Sequence, residues 1–165
     1  MTKHHHSEIP AWALNKMKNY CAFQERCISD VRQKLSTFHL SDSLNEMIIQ
    51  QLLKENFLNE ERFAKVFAGG KFRINKWGKN KIFYALQSKG IPDLFIQEGL
   101  NEIDPDDYRE VLVKLIVAKE GSLTESDLLK KKQKLATFAI TKGFEQSLVW
   151  DVLNKSNLMK QKNDG

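Results

Sequence analysis

The sequence predicts an all-α fold: three tandem three-helix repeats forming an elongated, curved array. Three observations point there. Only three prolines (Pro10, Pro92, Pro105) interrupt the 165 residues, two of them where a helix can begin. Nowhere does the chain show the strict apolar alternation of a half-buried strand; apolar residues recur instead at three- and four-residue intervals. Most tellingly, one pattern occurs three times. An apolar helix end meets a tight turn at His39, Gly90 or Gly143, then an apolar residue, then an amphipathic helix, at offsets of 51 and 53 residues. Repeats of this size bury little apolar surface alone and gain stability by stacking. A radius of gyration above the roughly 15 Å of a compact chain of this length is therefore expected.

Each element has a local reason. Residues 1–10 form a polar leader with His4, His5 and His6, which can bind a transition metal weakly as a mobile peptide or can have no role. The first repeat (11–58) opens on a helix marked by Ala11, Leu14, Met17 and Cys21; Ile28, Val31, Leu35 and Phe38 mark the second. Ser41-Asp42-Ser43 caps a third, which carries Leu44, Met47, Ile48 and Leu52 and closes at Asn56. The second repeat (59–104) begins with Asn59 as cap and Glu60 and Glu61 in the first turn, where carboxylates suit the helix dipole. At 100° per residue Phe63, Val66, Phe67, Gly70 and Ile74 share a face, expected to be the buried one. Gly69-Gly70 implies a bend or a close backbone neighbour, and Trp77-Gly78 a turn, with Trp77 buried if the helix continues. Ile82, Phe83 and Leu86 define the fifth helix, ended by Gly90; Pro92 opens the sixth, with Ile96, Leu100 and Ile103 inward. The third repeat (105–154) starts at Asp104-Pro105-Asp106-Asp107, followed by Val111, Leu112, Leu115 and Ile116. Glu120-Gly121-Ser122 breaks the chain, an eighth helix carries Leu128, Leu135 and Phe138 to Gly143, and Leu148, Val149, Val152 and Leu153 mark the ninth before a polar tail (155–165).

Composition narrows the function. The chain has 41% apolar and 28% charged residues, a globular balance, and no apolar run long enough to cross a bilayer, so a cytoplasmic location is expected. Cys21 and Cys27 are too few for a disulfide scaffold and lack the partners of a zinc site. There is no phosphate-binding loop, dinucleotide fingerprint, zinc-protease motif or nucleophile elbow. His39 stands at a helix-ending turn, and the paired carboxylates sit where helix starts want them. A binding protein, with no enzymatic activity and no metal or other cofactor, is expected.

The charge distribution says what it could bind. From Arg62 to Pro92 there are eight basic residues (Arg62, Lys65, Lys71, Arg73, Lys76, Lys79, Lys81, Lys89) and no acid, whereas the rest of the chain holds 18 basic and 21 acidic groups. Lys130, Lys131, Lys132, Lys134 and Lys142 form a second acid-free block. Like charges this dense repel one another unless a polyanion neutralises them, although a lysine run can also be a solvated helix face.

Three segments resemble the RecX family of recombination regulators. Asn56-Phe57-Leu58-Asn59-Glu60-Glu61-Arg62-Phe63-Ala64 is similar to a family segment of the form G-F/Y-L-N/D-D/E-x-R-F/Y-A. Trp77-Gly78-Lys79-Asn80-Lys81-Ile82 and Leu86-Gln87-Ser88-Lys89-Gly90-Ile91 then match G-x-x-R/K-I and L-x-x-K/R-G-I/V. Val31-Arg32-Gln33-Lys34-Leu35 and Lys142-Gly143-Phe144 extend the likeness over residues 11 to 155. Asn56 and His39 stand where the family has glycine, and several family arginines are lysines here. The resemblance implies three three-helix repeats and a modulator, usually an inhibitor, of the RecA recombinase; a monomer is expected. Such a protein binds in the groove of the filament and also binds single- and double-stranded DNA without sequence preference. The competing readings are a helical DNA-binding protein without a recombinase partner and a protein-only adaptor.

The candidate contacts to DNA or partner are Lys65, Lys71, Phe72, Arg73, Lys76, Lys79, Lys81 and Lys89, with Lys130, Lys131, Lys132 and Lys134. Phe72 falls opposite the expected apolar face, on the side of Lys65 and Lys76, where it either stacks on a base or packs against a neighbouring repeat.

Overall fold

The computed structural model describes residues 8–155, in which every regular element is a helix. The expectations for His4–His6 and for the tail beyond Lys155 lie outside the described residues. Helices α1 (Ala11–Phe23), α2 (Ile28–Leu35, prolonged by a 3-10 turn at Ser36–Phe38) and α3 (Asp42–Lys54) pack together. So do α4 (Glu60–Asn75), α5 (Lys79–Ser88) and α6 (Asp93–Asn101), and likewise α7 (Pro105–Ser122), α8 (Leu128–Thr141) and α9 (Gln146–Lys155).

The helix starts obey the capping chemistry. Ser41 Oγ accepts the Leu44 N–H at 3.2 Å, Asn59 Oδ1 the Arg62 N–H at 2.9 Å, and Asp104 Oδ1 the N–H groups of Asp106 and Asp107 at 2.9 and 3.0 Å. Asp127, which the sequence pattern does not single out, caps α8 through the Lys130 N–H at 3.0 Å. Two boundaries differ from expectation. Pro92 stands one residue ahead of α6, and α7 continues through Gly121 to Ser122, so the break falls at 123–127. The last turn of α7 is held by the Glu120–Lys131 ion pair at 3.1 Å and by the Ser122 hydroxyl donating to the Lys119 carbonyl at 2.8 Å.

The larger correction concerns α4. Its buried residues are Phe63, Ala64, Ala68 and Phe72, while Val66 and Ile74 are exposed. The inward face is therefore rotated by roughly a third of a turn from the one that counting apolar residues suggests. Size decides it. Against Ala64 lies Gly99 of α6, so close that a Cβ there would come within 2.8 Å of the Ala64 carbonyl oxygen. The small-residue face allows an approach that the Val66–Ile74 face does not. The close backbone neighbour expected as one alternative at Gly69-Gly70 is not there: Gly69 leaves room for the Arg73 guanidinium, and Gly70 has nothing near it.

The interior is divided unequally. Residues from α1–α3 and the segment after them enclose one apolar cluster around Met17, Leu35, Ile48 and Leu52. A second, continuous cluster runs through α4–α9, from Phe63 and Ile96 to Leu112, Phe144 and Val149, and takes in Cys27 from the first group of helices. Where α4–α6 meet α7–α9, the chain is in backbone contact. Gly78 N–H donates to the Lys142 carbonyl and Asn80 N–H to the Gly143 carbonyl, both at 2.9 Å, and a methyl group on Gly78 would overlap the Gly143 backbone. Phe72, Tyr108 and Phe144 run across this junction, with ring centres 5.8 and 5.0 Å apart. Where α1–α3 meet α4–α6, polar pairs bridge the junction: Arg62 to Glu25 at 2.6 Å, Lys89 to Asp30 at 3.6 Å, and the Ile28 N–H to Glu60 Oε2 at 3.2 Å.

Candidate nucleic-acid interface

The fold sorts the eight basic residues of the 62–92 stretch. Three are neutralised by carboxylates: Arg62 by Glu25, Lys89 by Asp30, and Lys65 by Glu61 and Glu102 at 3.2 and 3.5 Å. Lys71, Lys79 and Lys81 have no carboxylate partner among the described residues and rest on aromatic rings instead. The Lys71 ammonium lies 4.8 Å from the centre of the Trp77 ring and 5.5 Å from that of Phe67. Lys81 lies 4.6 Å from Trp77, and Lys79 lies 5.1 Å from Tyr108. Lys142, from the end of α8, joins them by donating to the Asn75 carbonyl at 3.3 Å. An exposed cation–π contact is worth only about 0.5–1 kcal/mol, so these ammoniums are held in place without being neutralised.

Local structure concentrates this charge. Helix α4 ends at Asn75 because Lys76 turns left-handed (φ 57°), which directs Trp77 away from the helix path and leaves it half-buried. Helix α5 begins at once, with Lys79 and Lys81 in its first turn and no acid there. Cations at a helix N-terminus oppose the dipole, so this arrangement costs stability and strengthens the positive field. The amides of Gly78, Lys79 and Asn80 are already used, by the Lys142 carbonyl, the Tyr108 hydroxyl and the Gly143 carbonyl, so the side chains carry the site. Tyr108 anchors it: its hydroxyl accepts the Lys79 N–H at 2.9 Å and donates to Glu145, and burial together with that bond raises its pKa.

Other candidates fall elsewhere. Arg73, two residues from Lys71 and so roughly 200° around α4, lines a cavity of about 180 Å³ with Lys65 and the carboxylate residues Glu102, Asp104 and Asp107. Lys76 is exposed, its ammonium donating to the Arg73 carbonyl at 2.7 Å. Phe72 is 7% exposed and packs on Tyr108, so of its two readings the neighbouring-repeat one holds. Lys131 is also 7% exposed and paired with Glu120, so it offers no free charge; the inward position on α8 takes it out of the surface set. Lys134 is paired with Glu125 at 3.1 Å, Lys132 reaches Asn154 at 3.4 Å, and Lys130 is exposed beside a groove shared with Lys119. Both thiols are buried, and burial pushes Cys21 up to about 11 and raises Cys27. No group of three metal-ligating side chains occurs among the described residues, and no helix there is long and apolar enough to cross a membrane.

Trp77 and Lys142 belong to the site although neither is among the candidates read from the sequence. The signal for Trp77 lay in its place between two lysines just ahead of a glycine turn, and that for Lys142 in its position before Gly143, the turn repeated at Gly90.

Comparison with known proteins places this arrangement. Residues 59–100 match the family model described as RecX, second three-helix domain. Over 130 residues the chain is 32% identical to the Regulatory protein RecX of Clostridium acetobutylicum, covering 76% of this chain and 60% of the relative. The chain belongs to the RecX family. The Regulatory protein RecX of Prosthecochloris aestuarii is 27% identical over 143 residues, covering 87% of this chain and 92% of its own length. By contrast, the chain spans 58% of the Lactobacillus gasseri RecX, with which it shares 27% identity over 161 residues. In fold, the crystal structure of RecX from Lactobacillus salivarius superimposes with a TM-score of 0.82 at 21% identity, covering 90% of this chain and 97% of that one. The matched RecX unit, 59–100, contains Lys71, Trp77, Lys79 and Lys81. The two glycine departures from the RecX pattern are accounted for: His39 and Asn56 both adopt left-handed backbone (φ 55° and 61°), the conformation for which glycine is the usual choice and which Asn and His tolerate better than most residues.

Proposed function

We propose that this protein is a cytoplasmic, monomeric regulator of the RecA recombinase, one that binds the filament on single-stranded DNA and inhibits its ATPase and strand-exchange activities. It also binds single- and double-stranded DNA without sequence preference. Membership of a family of regulatory proteins supports the regulatory part of this reading. The observation that carries the DNA-binding part is the cluster of Lys71, Lys79, Lys81 and Lys142, four ammoniums without carboxylate partners among the described residues at one junction. Lys76, Arg73 and Lys130 are exposed as well but lie outside this cluster. Phosphate contacts by lysines are sequence-independent, as a filament groove requires.

The test is the single-stranded-DNA-dependent ATPase of the cognate recombinase with this protein titrated in. Inhibition near stoichiometric amounts is expected, and it should weaken in the triple variant K71Q/K79Q/K81Q. In parallel, the dependence of DNA affinity on log salt should flatten by about 0.7 for each phosphate that the variant no longer neutralises on single strands. ATPase unchanged at stoichiometric excess, with salt-dependent DNA binding intact, would instead identify a DNA-binding protein without a recombinase partner.

A further inference from the structure

The lysines around Trp77 are arranged unlike the other basic residues of the 62–92 stretch. Most of the others in the 62–92 stretch have a carboxylate or lie apart, whereas Lys71 and Lys81 both hold their ammoniums over one indole ring, at 4.8 and 4.6 Å from its centre. The two charges are thus no further apart than about 9.4 Å, the sum of those distances. The indole packs against the α4–α9 core without being enclosed by it. It stands in a fixed place because Lys76 reverses the chain before it and Gly78 is pinned after it by the Lys142 carbonyl.

From this geometry we infer that Trp77 is a stacking platform for one base of single-stranded nucleic acid, with Lys71 and Lys81 moving from the ring to the flanking phosphates as the base arrives. The inference rests on the phosphate-binding reading of this cluster. The energetics favour the exchange. Each ammonium gives up only a weak, exposed cation–π contact. A charge-assisted hydrogen bond, stronger than that contact, replaces it, while the base gains stacking on the ring. Without a nucleotide, the lysines cover the indole and keep an otherwise exposed aromatic surface from associating with other apolar surfaces. A duplex, whose bases are stacked on one another, can satisfy the lysines but not the ring. The site therefore distinguishes single from double strands, a distinction that charge alone does not make. The aromatic role that spacing had offered to Phe72 belongs to Trp77.

The experiment is equilibrium binding, by fluorescence anisotropy, of three labelled probes of equal phosphate number: an oligothymidylate, the same strand built with abasic sites, and a duplex. Wild type, W77L and W77F are compared, with thermal melts by circular dichroism to establish that each is folded. Wild type should bind the oligothymidylate about 5- to 150-fold more tightly than the abasic strand, the ratio corresponding to about 1–3 kcal/mol. In W77L, which keeps an apolar side chain but no ring, that ratio should collapse toward one while binding to the abasic strand and the duplex remains salt-dependent. W77F should retain part of it. Salt-dependent binding in which W77L discriminates as well as wild type would overturn the stacking site and leave phosphate binding standing. Absence of binding to all three probes at moderate salt would overturn both.

Discussion

At the scale of single residues, glycine positions that look alike in the sequence have opposite roles in the fold. Gly78 has an ordinary backbone (φ −76°) but lies against the Gly143 backbone, so the constraint on it is space. Gly70 sits in the body of α4 with nothing within 4 Å of its absent Cβ. Gly78→Ala should therefore destabilise the protein, by at least the 1–3 kcal/mol typical of overpacking, and weaken DNA binding by displacing Lys79 and Lys81. Gly70→Ala should stabilise it by about 1 kcal/mol through helix propensity. Urea denaturation of the pair measures both, and equal effects of the same sign would show that the junction gives way. Residues that stand at turns were legible in the sequence because their chemistry is local. Gly90 and Gly143 (φ 77° and 104°) end their helices as read, and Asn56 closes α3. The placement of Phe72 was not legible, since which side of α4 is inward depends on Ala64 meeting Gly99, a contact between helices that no window of sequence contains.

At the scale of the helix, the caps at Ser41, Asn59 and Asp104 were readable for the same reason, and α4 shows where a local rule meets tertiary burial. Glu60 occupies the first turn, where the dipole favours its charge, and accepts the Ile28 N–H across the repeat junction. Burial nevertheless raises its pKa above the ordinary carboxylate value; the Ile28 bond offsets this only in part. A carboxylate with a raised folded-state pKa holds its proton more tightly in the native state than in the unfolded one. Stability from this group is thus fully present when it is protonated and falls as pH rises through its titration, leaving the charge a cost at neutral pH. Glu60→Gln keeps an acceptor for Ile28 and removes that cost. The variant should melt at or above the wild-type temperature at pH 7, and the gap should close as the pH is lowered past the carboxylate range. A gap that stayed constant across the titration would mean that ionisation of Glu60 is not its cause. The acid-free first turn of α5 is the complementary case: its two lysines contradict the local rule without relief from burial, which is why the proposed phosphate contacts rest on them.

At the scale of the whole molecule, the threefold repeat was legible because each unit repeats the same turn and the same helix that follows it. The unequal way the units join was not, because a repeat pattern marks turns and says nothing of what lies between units. Among the described residues, nine buried apolar side chains form the α1–α3 cluster, against twenty-one in the one shared by α4–α9. Apart from Cys27, the first junction rests on Arg62–Glu25, Lys89–Asp30 and the Glu60 bond, whereas the second is backbone contact and tilted, packed aromatic rings. A unit of fewer than about 60 residues is marginal alone, and ion pairs of this partly exposed kind contribute little and weaken with salt. The α1–α3 unit should therefore open as a sub-global step below the free energy needed to unfold α4–α9. Native-state hydrogen exchange is the measurement. Amides of Met17, Ile48 and Leu52 should exchange through a lower-energy opening than those of Ile96, Leu112 and Val149. Raising salt from about 0.1 to 1 M, which shortens the Debye length from about 10 to 3 Å, should widen the difference. Solution scattering should give a radius of gyration above roughly 15 Å in both conditions, as separate cores in series require. A single exchange isotherm shared by all six amides and indifferent to salt would mean that Cys27 and its apolar neighbours, rather than the ion pairs, join the first unit to the rest.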